Sequence, residues 1–232
     1  MGTKGRSARG APRLALATLL AYNEILRLKA GSLPVKSSTF LTPSEQSITV
    51  CSYEEFCRRT GVSFGEISLG GRLLDGYCVT GLAGSRALIL YNAEQYSQRL
   101  RFTMLHEVGH IVLSHTRNAQ REEAEANAFA SQFLMPGAII TELGRRGYAA
   151  DSGLFSRIFD VSAAAARVKM GQMAQKAYEP THLDDSIISR FTPYLDQYFP
   201  HKRRPVSHAD YFYGGRENYR AYRAAEDNML FP

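Results

Sequence analysis

Arg101-Phe102-Thr103-Met104-Leu105-His106-Glu107-Val108-Gly109-His110 is the stretch from which the fold of this 232-residue chain is read. Its apolar spacing predicts a helix over roughly Gln98 to Ser114. On a helix, residues four apart lie one turn apart on the same face, so His106 and His110 project side by side. That separation suits two imidazole nitrogens sharing one tetrahedral metal ion. Glu107 lies about 100° further round, beside such an ion rather than on it. A carboxylate there takes a proton from an acidified water and passes it to a leaving amine. The opposite face carries Met104, Val108, Ile111 and Val112, so the helix is covered on more than one side. Two histidines and a glutamate in such a helix are costly unless paired or metal-bound. Gly109 gives up about 1 kcal/mol of helix propensity, which points to a close backbone approach near the site.

A hydrolytic metal needs three protein ligands and an open position. The next helix, about Arg121 to Leu134, opens on Glu122, Glu123 and Glu125 and is expected to bury Ala126, Phe129, Ala130 and Phe133. Measured from Ala126, Glu122 falls near about −40°, Glu123 near about +60° and Glu125 near about −100°. As third ligand the period disfavours Glu125 and leaves Glu122 and Glu123 tied. The competing reading makes all three solvated charges favoured near a helix N-terminus. Pro136 should end or redirect this helix.

Working outward, a helix is expected over Arg13 to Lys29, stopped by Gly31 and Pro34. A short strand should follow at Ser47 to Cys51, then a short helix at Tyr53 to Thr60 ended by Gly61. Gly76 to Thr80 and Ala87 to Asn92 read as strands. The turn chemistry of residues 81–85 between them predicts an antiparallel hairpin. Leu154 to Ala177 reads as two short helices, the second capped by Asp160 or Ser162. Beyond Pro180 the chain is rich in Tyr and lacks a clear period. The expected class is α+β, mainly helical, with a small sheet or hairpin before the metal helix.

Composition narrows the class further. Hydrophobic residues make up 44%, with 12 Phe and 13 Tyr, enough for a sizeable core. The net charge of +6 permits contact with nucleic acid without establishing it, because much of the excess sits at the two ends, in Lys4, Arg6, Arg9 and Arg13 and in Lys202, Arg203 and Arg204. Direct nucleic-acid binding is therefore not favoured. Three cysteines without CxxC spacing argue against a disulfide framework and for a cytoplasmic protein. No apolar run reaches the roughly 20 residues needed to cross a membrane.

The decamer above, followed by Glu123-Ala124-Glu125-Ala126-Asn127-Ala128-Phe129-Ala130 and Leu134-Met135-Pro136, resembles the ImmA/IrrE family of metallo-endopeptidases. The E-x-x-A-N-x-F-A then L-M-P succession is the specific part, since H-E-x-x-H recurs in many unrelated proteases. The resemblance covers roughly residues 13–180. It leaves 1–12 as a basic disordered tail and 181–232 as a Tyr-rich extension. It implies a zincin-like, gluzincin-type arrangement, with His106, His110 and Glu123 as metal ligands and Glu107 as catalytic base. It also implies a second-layer hydrogen bond from Asn127 to a ligand histidine. His115 matches a histidine often seen after the metal helix, and a core or capping role suits it better than ligation. The implied metal is Zn2+, with Mn2+ as the alternative.

By the same resemblance the protein substrate is a helix-turn-helix DNA-binding repressor, cut once to relieve repression in a mobile element or stress response. A competing expectation is a regulatory or toxin–antitoxin binding protein that uses the scaffold without proteolysis. It draws on the helix-turn-helix flavour of Leu154 to Gln175, but Ala163 to Ala166 offers few side chains able to read base edges. A third is a metal-dependent hydrolase of some other amide. An oxyanion donor, Tyr or His from the C-terminal half, is expected without a residue being singled out.

Overall fold

The computed structural model describes residues 11–36, 48–68, 73–82, 86–116, 119–175 and 178–202. Along the chain run α1 (Leu14–Arg27), β1 (Ile48–Ser52), α2 (Tyr53–Thr60), α3 (Phe64–Ile67), β2 (Gly76–Leu82) and β3 (Arg86–Tyr91). They are followed by α4 (Ser97–Val112), α5 (Gln120–Leu134), α6 (Gly137–Arg145), α7 (Ser152–Phe159), α8 (Ala163–Gln175) and α9 (Asp184–Tyr198). The fold is α+β, as expected from the sequence. The loop tip at 83–85, residues 1–10 and residues 203–232, including Arg203, Arg204 and the tyrosines beyond Tyr198, lie outside the described residues.

Local chemistry explains most boundaries. The Ser52 hydroxyl accepts the Glu55 N–H at 3.1 Å to cap α2, and Gly61, at φ 76°, ends it in the left-handed conformation that only glycine adopts cheaply. Helix α5 stops at Leu134, and Pro136 opens α6. At the second short helix pair, Ser162 is the cap, accepting the Ala165 N–H at 3.1 Å. Asp160 instead closes α7 with a left-handed backbone and gives its carboxylate to Arg101.

The sheet has the order β1-β3-β2. β2 and β3 form the antiparallel hairpin, with Cys78 opposite Ile89, and β1 joins the other side of β3 in parallel, with Val50 opposite Ile89. Alternation along β3 divides the core. Ile89 enters the main core, while Leu90 meets Cys51 and Tyr53 on the other face, beneath α2. β2 is left as an edge strand beside α4.

Helix α5 occupies the centre, packed on α4 and on α1. Its buried side holds Ala126, Phe129, Ala130, Phe133 and Leu134 and meets Ala17, Ala21, Tyr22 and Ile25 of α1. Each fully buried Phe side chain contributes about 1.5–3 kcal/mol of burial free energy. Arg101 on α4 donates to Asp160 Oδ2 at 2.7 Å and to Val35 O at 2.9 Å, tying the metal helix to two loops at once.

Beyond Pro180 the structure builds α9, a helix the sequence reading did not find. Ile187, Phe191 and Leu195 form its buried stripe, and it packs on α1 and α6. Arg146, itself buried, fastens it by donating to Glu142 Oε1 and Asp196 Oδ1, both at 2.8 Å. The period was hidden by Pro193 inside the helix and by interleaved polar and Tyr residues. Among the described residues no helix is long and apolar enough to cross a membrane.

Candidate metal centre

Two helices build the site because a glycine lets them touch. A Cβ on Gly109 of α4 would stand 3.2 Å from Ala126 Cα, Ala126 O and Phe129 Cβ of α5. The missing side chain brings the first turn of α5 against the histidine face of α4. Glu123 then falls opposite His106 and His110, and one donor atom from each of the three lies within 4.8 Å of the others.

His106 Nε2 and His110 Nε2 are 3.0 Å apart, while Glu123 Oε2 lies 3.3 Å from the first and Glu123 Oε1 lies 3.4 Å from the second. A tetrahedral ion with ligand bonds of 2.0–2.1 Å sets its ligand atoms about 3.3–3.4 Å apart. Two imidazole nitrogens and one carboxylate oxygen are the donor types that zinc takes, and the residues fit the ion in number and kind.

Hydrogen bonds behind the triangle orient both rings. Asn127, one turn after Glu123, faces His106 Nδ1 with its Oδ1 at 2.9 Å. His115 Nδ1 faces His110 Nδ1 at 2.9 Å, and its Nε2 faces Glu125 Oε2 at 3.1 Å. Both rings thus have their Nδ1 engaged behind and their Nε2 turned to the common point.

Glu125 corrects an expectation of the helical period. It is fully buried rather than turned away from the core. The period measured one buried side of α5, whereas α4 and α1 cover two. The Glu125 charge is met by Arg13, whose backbone N–H, Nε and Nη2 donate at 2.9, 3.0 and 2.8 Å, and by Arg121 Nε at 3.2 Å. Burial works to raise its pKa, but the Arg13 hydrogen bonds outweigh this and pull it down to about 2.

Electrostatics separate the remaining groups. Burial and the neighbouring His106 push the His110 pKa down to about 4, leaving that ring neutral near neutral pH. Burial also opposes charge on His106, yet its bond to Glu123 and the nearby carboxylates carry its pKa above the usual value. The same bond to His106 holds Glu123 low. Glu107 is buried, and burial raises its pKa against the opposing pull of His106 and Cys78. This neighbour, Cys78 on β2, had no assigned part in the sequence reading.

The centre opens into a cleft of about 890 Å³. His106, Glu107, His110 and Glu123 line it, facing Gly76, Tyr77, Cys78 and Thr80 from the edge strand β2. Among the described lining residues none comes from beyond Asn127, so the oxyanion donor expected from the C-terminal half is not found there.

Residues 57–171 match the family model for peptidase M78, the IrrE N-terminal-like domain. Residues 57–171 form a domain of the M78 peptidase family. The resemblance to ImmA/IrrE metallopeptidases, read from the E-x-x-A-N-x-F-A and L-M-P succession, is borne out. No match to the chain is found among curated proteins. The M78 domain begins within α2 and ends within α8, so it contains every residue of the triangle. Arg13, α1, β1 and α9 lie outside the matched stretch. The family supports a metallopeptidase-type function.

Proposed function

We propose that this chain is a zinc-dependent endopeptidase that cuts a helix-turn-helix DNA-binding repressor and so relieves repression. The observation that carries the catalytic part is the convergence of His106, His110 and Glu123 within 4.8 Å at the floor of a cleft that Glu107 also lines. The repressor as substrate rests on the resemblance to the ImmA/IrrE family, whose members act on such regulators. Three free cysteines agree with the reducing cytoplasm in which a repressor works.

His106, His110 and Glu123 would hold the metal. When bound, zinc supplies Lewis acidity toward a peptide carbonyl and acidifies water. Glu107 takes one proton from the attacking water as its oxygen bonds to the carbonyl carbon, then delivers a proton to the amine nitrogen as the C–N bond breaks. Cys78 lines the cleft together with Glu107. Beside it, the edge strand β2 offers an extended peptide a backbone to pair with.

Sequence-specific DNA binding by α7 and α8 has little support. The first turns of α8 are alanines, and Lys169 is buried.

Metal content decides the reading. About one zinc per chain in the wild type, lost or weakened in His106→Ala and in Glu123→Ala, is the expected result. A zinc-loaded wild type that leaves a purified cognate repressor intact would remove the repressor. A wild type that takes up no metal when zinc is supplied would remove the enzyme. Manganese in place of zinc would change the ion and keep the site.

A further inference from the structure

The groups behind His110 form a line whose proton positions are determined by its far end. Glu125 is fully buried, and Arg13 and Arg121 surround it with donors. An ionised carboxylate only accepts hydrogen bonds, so the His115 nitrogen facing it, Nε2 at 3.1 Å, is the protonated one. Two nitrogens 2.9 Å apart share one proton, and with the His115 proton engaged by Glu125 its Nδ1 is the acceptor toward His110 Nδ1. His110 must carry its proton on Nδ1, and its Nε2 lone pair is left facing His106 and Glu123.

We propose that Glu125 and His115 are positioning residues that fix the tautomer and orientation of His110 for ligation, and that Arg13 anchors them from the head of α1. This rests on the metal-centre reading for its purpose but not for its existence, because the line is complete without an ion. It makes α1 part of the site. Arg13 lies outside the matched stretch 57–171, yet it supplies three of the hydrogen bonds on the buried carboxylate.

A packing role and a relay role separate in two substitutions. In His115→Phe the ring volume stays and both hydrogen bonds go. In His115→Gln the packing changes, but the amide oxygen still accepts from His110 and the amide nitrogen still donates to Glu125, at nearly the imidazole spacing. Second-layer partners of this kind are worth roughly 10–100-fold in metal affinity. The test is nitrogen NMR of 15N-histidine-labelled, metal-free protein, with zinc affinity measured by chelator competition.

The wild type should show His110 as the Nδ1–H tautomer before any metal is added. His115→Phe should show a tautomer mixture and bind zinc at least roughly tenfold more weakly, while His115→Gln should stay within a few-fold of wild type. Arg13→Met should fall between them. Wild-type His110 protonated on Nε2 overturns the proposal, and that measurement needs no variant to fold. A Phe variant that keeps both tautomer and affinity, or one better than the Gln variant, overturns it as well. If the wild type shows the expected tautomer but takes up no zinc, the relay stands and the peptidase reading falls.

Discussion

At the scale of single residues, Glu107 and Glu125 show how differently two buried carboxylates can be held in one site. Glu107 shares its cleft with the uncharged Cys78, and burial raises its pKa. Glu125 meets guanidinium groups and is held at about 2. In the proposed mechanism, replacing Glu107 by Gln removes the base and keeps the shape. Cleavage should drop by roughly 10²–10⁴-fold, with metal content unchanged when both are assayed on the same preparation. Biological activity surviving that change would favour the binding-protein alternative. For Glu125 the folded pKa lies below the ordinary carboxylate value of 4.5. Its stabilising share is therefore present above pH 4.5 and lost as pH falls toward 2. Thermal midpoints of the metal-free protein across that window should fall steeply for wild type and more gently for Glu125→Gln. Equal slopes would show that this carboxylate does not drive acid unfolding.

At the scale of elements, the contact of α4 with α5 decides whether His106, His110 and Glu123 meet. At Gly109 the two helices approach closely. Its Cα hydrogen faces backbone atoms of α5, which cannot rotate away as a side chain would. Gly109→Ala gains about 1 kcal/mol of helix propensity. Against this stands an overpacking cost of about 1–3 kcal/mol. The net expectation is a modest loss of stability, together with a weaker zinc affinity because Glu123 moves outward with α5. Denaturant unfolding and chelator competition read the two effects separately. A variant more stable than wild type with unchanged affinity would show that the helices have room to spare. Helix α9 carries the complementary lesson. Ile187, Phe191 and Leu195 lie four apart and form a sound buried stripe, but Pro193 and the polar residues between them obscured it.

At the scale of the whole molecule, the site draws on parts distant in sequence. Arg13 at the start of α1 reaches Glu125 across 112 positions, and Arg101 binds Val35 on one side and Asp160 on the other. An ion that binds only the folded state stabilises all of these together. Zinc at about 100 times its dissociation constant adds about 2.7 kcal/mol. For a chain of this size that is a rise in Tm of roughly 5–10 °C, reversed by a chelator. A Tm that ignores zinc in wild type, measured beside His106→Ala, would speak against a folded-state metal site.

The sequence alone determined what repeats at short range. Three- and four-residue spacings set His106 beside His110 with Glu107 off to one side, marked the buried stripe of α5, and placed the hairpin before the metal helix. Pro136 and Gly61 punctuated the chain where they stand. These features follow from backbone geometry that every helix and strand shares. Tertiary structure alone decided what depends on which element packs against which. The parallel pairing of β1 with β3, the burial of Glu125 beneath Arg13, the bond from His115 to His110, the place of Cys78 beside Glu107 and the docking of α9 all join distant residues. A helical period reports a single buried side. Helix α5 is covered on two, and no period could say that a carboxylate on its second side would find an arginine waiting there.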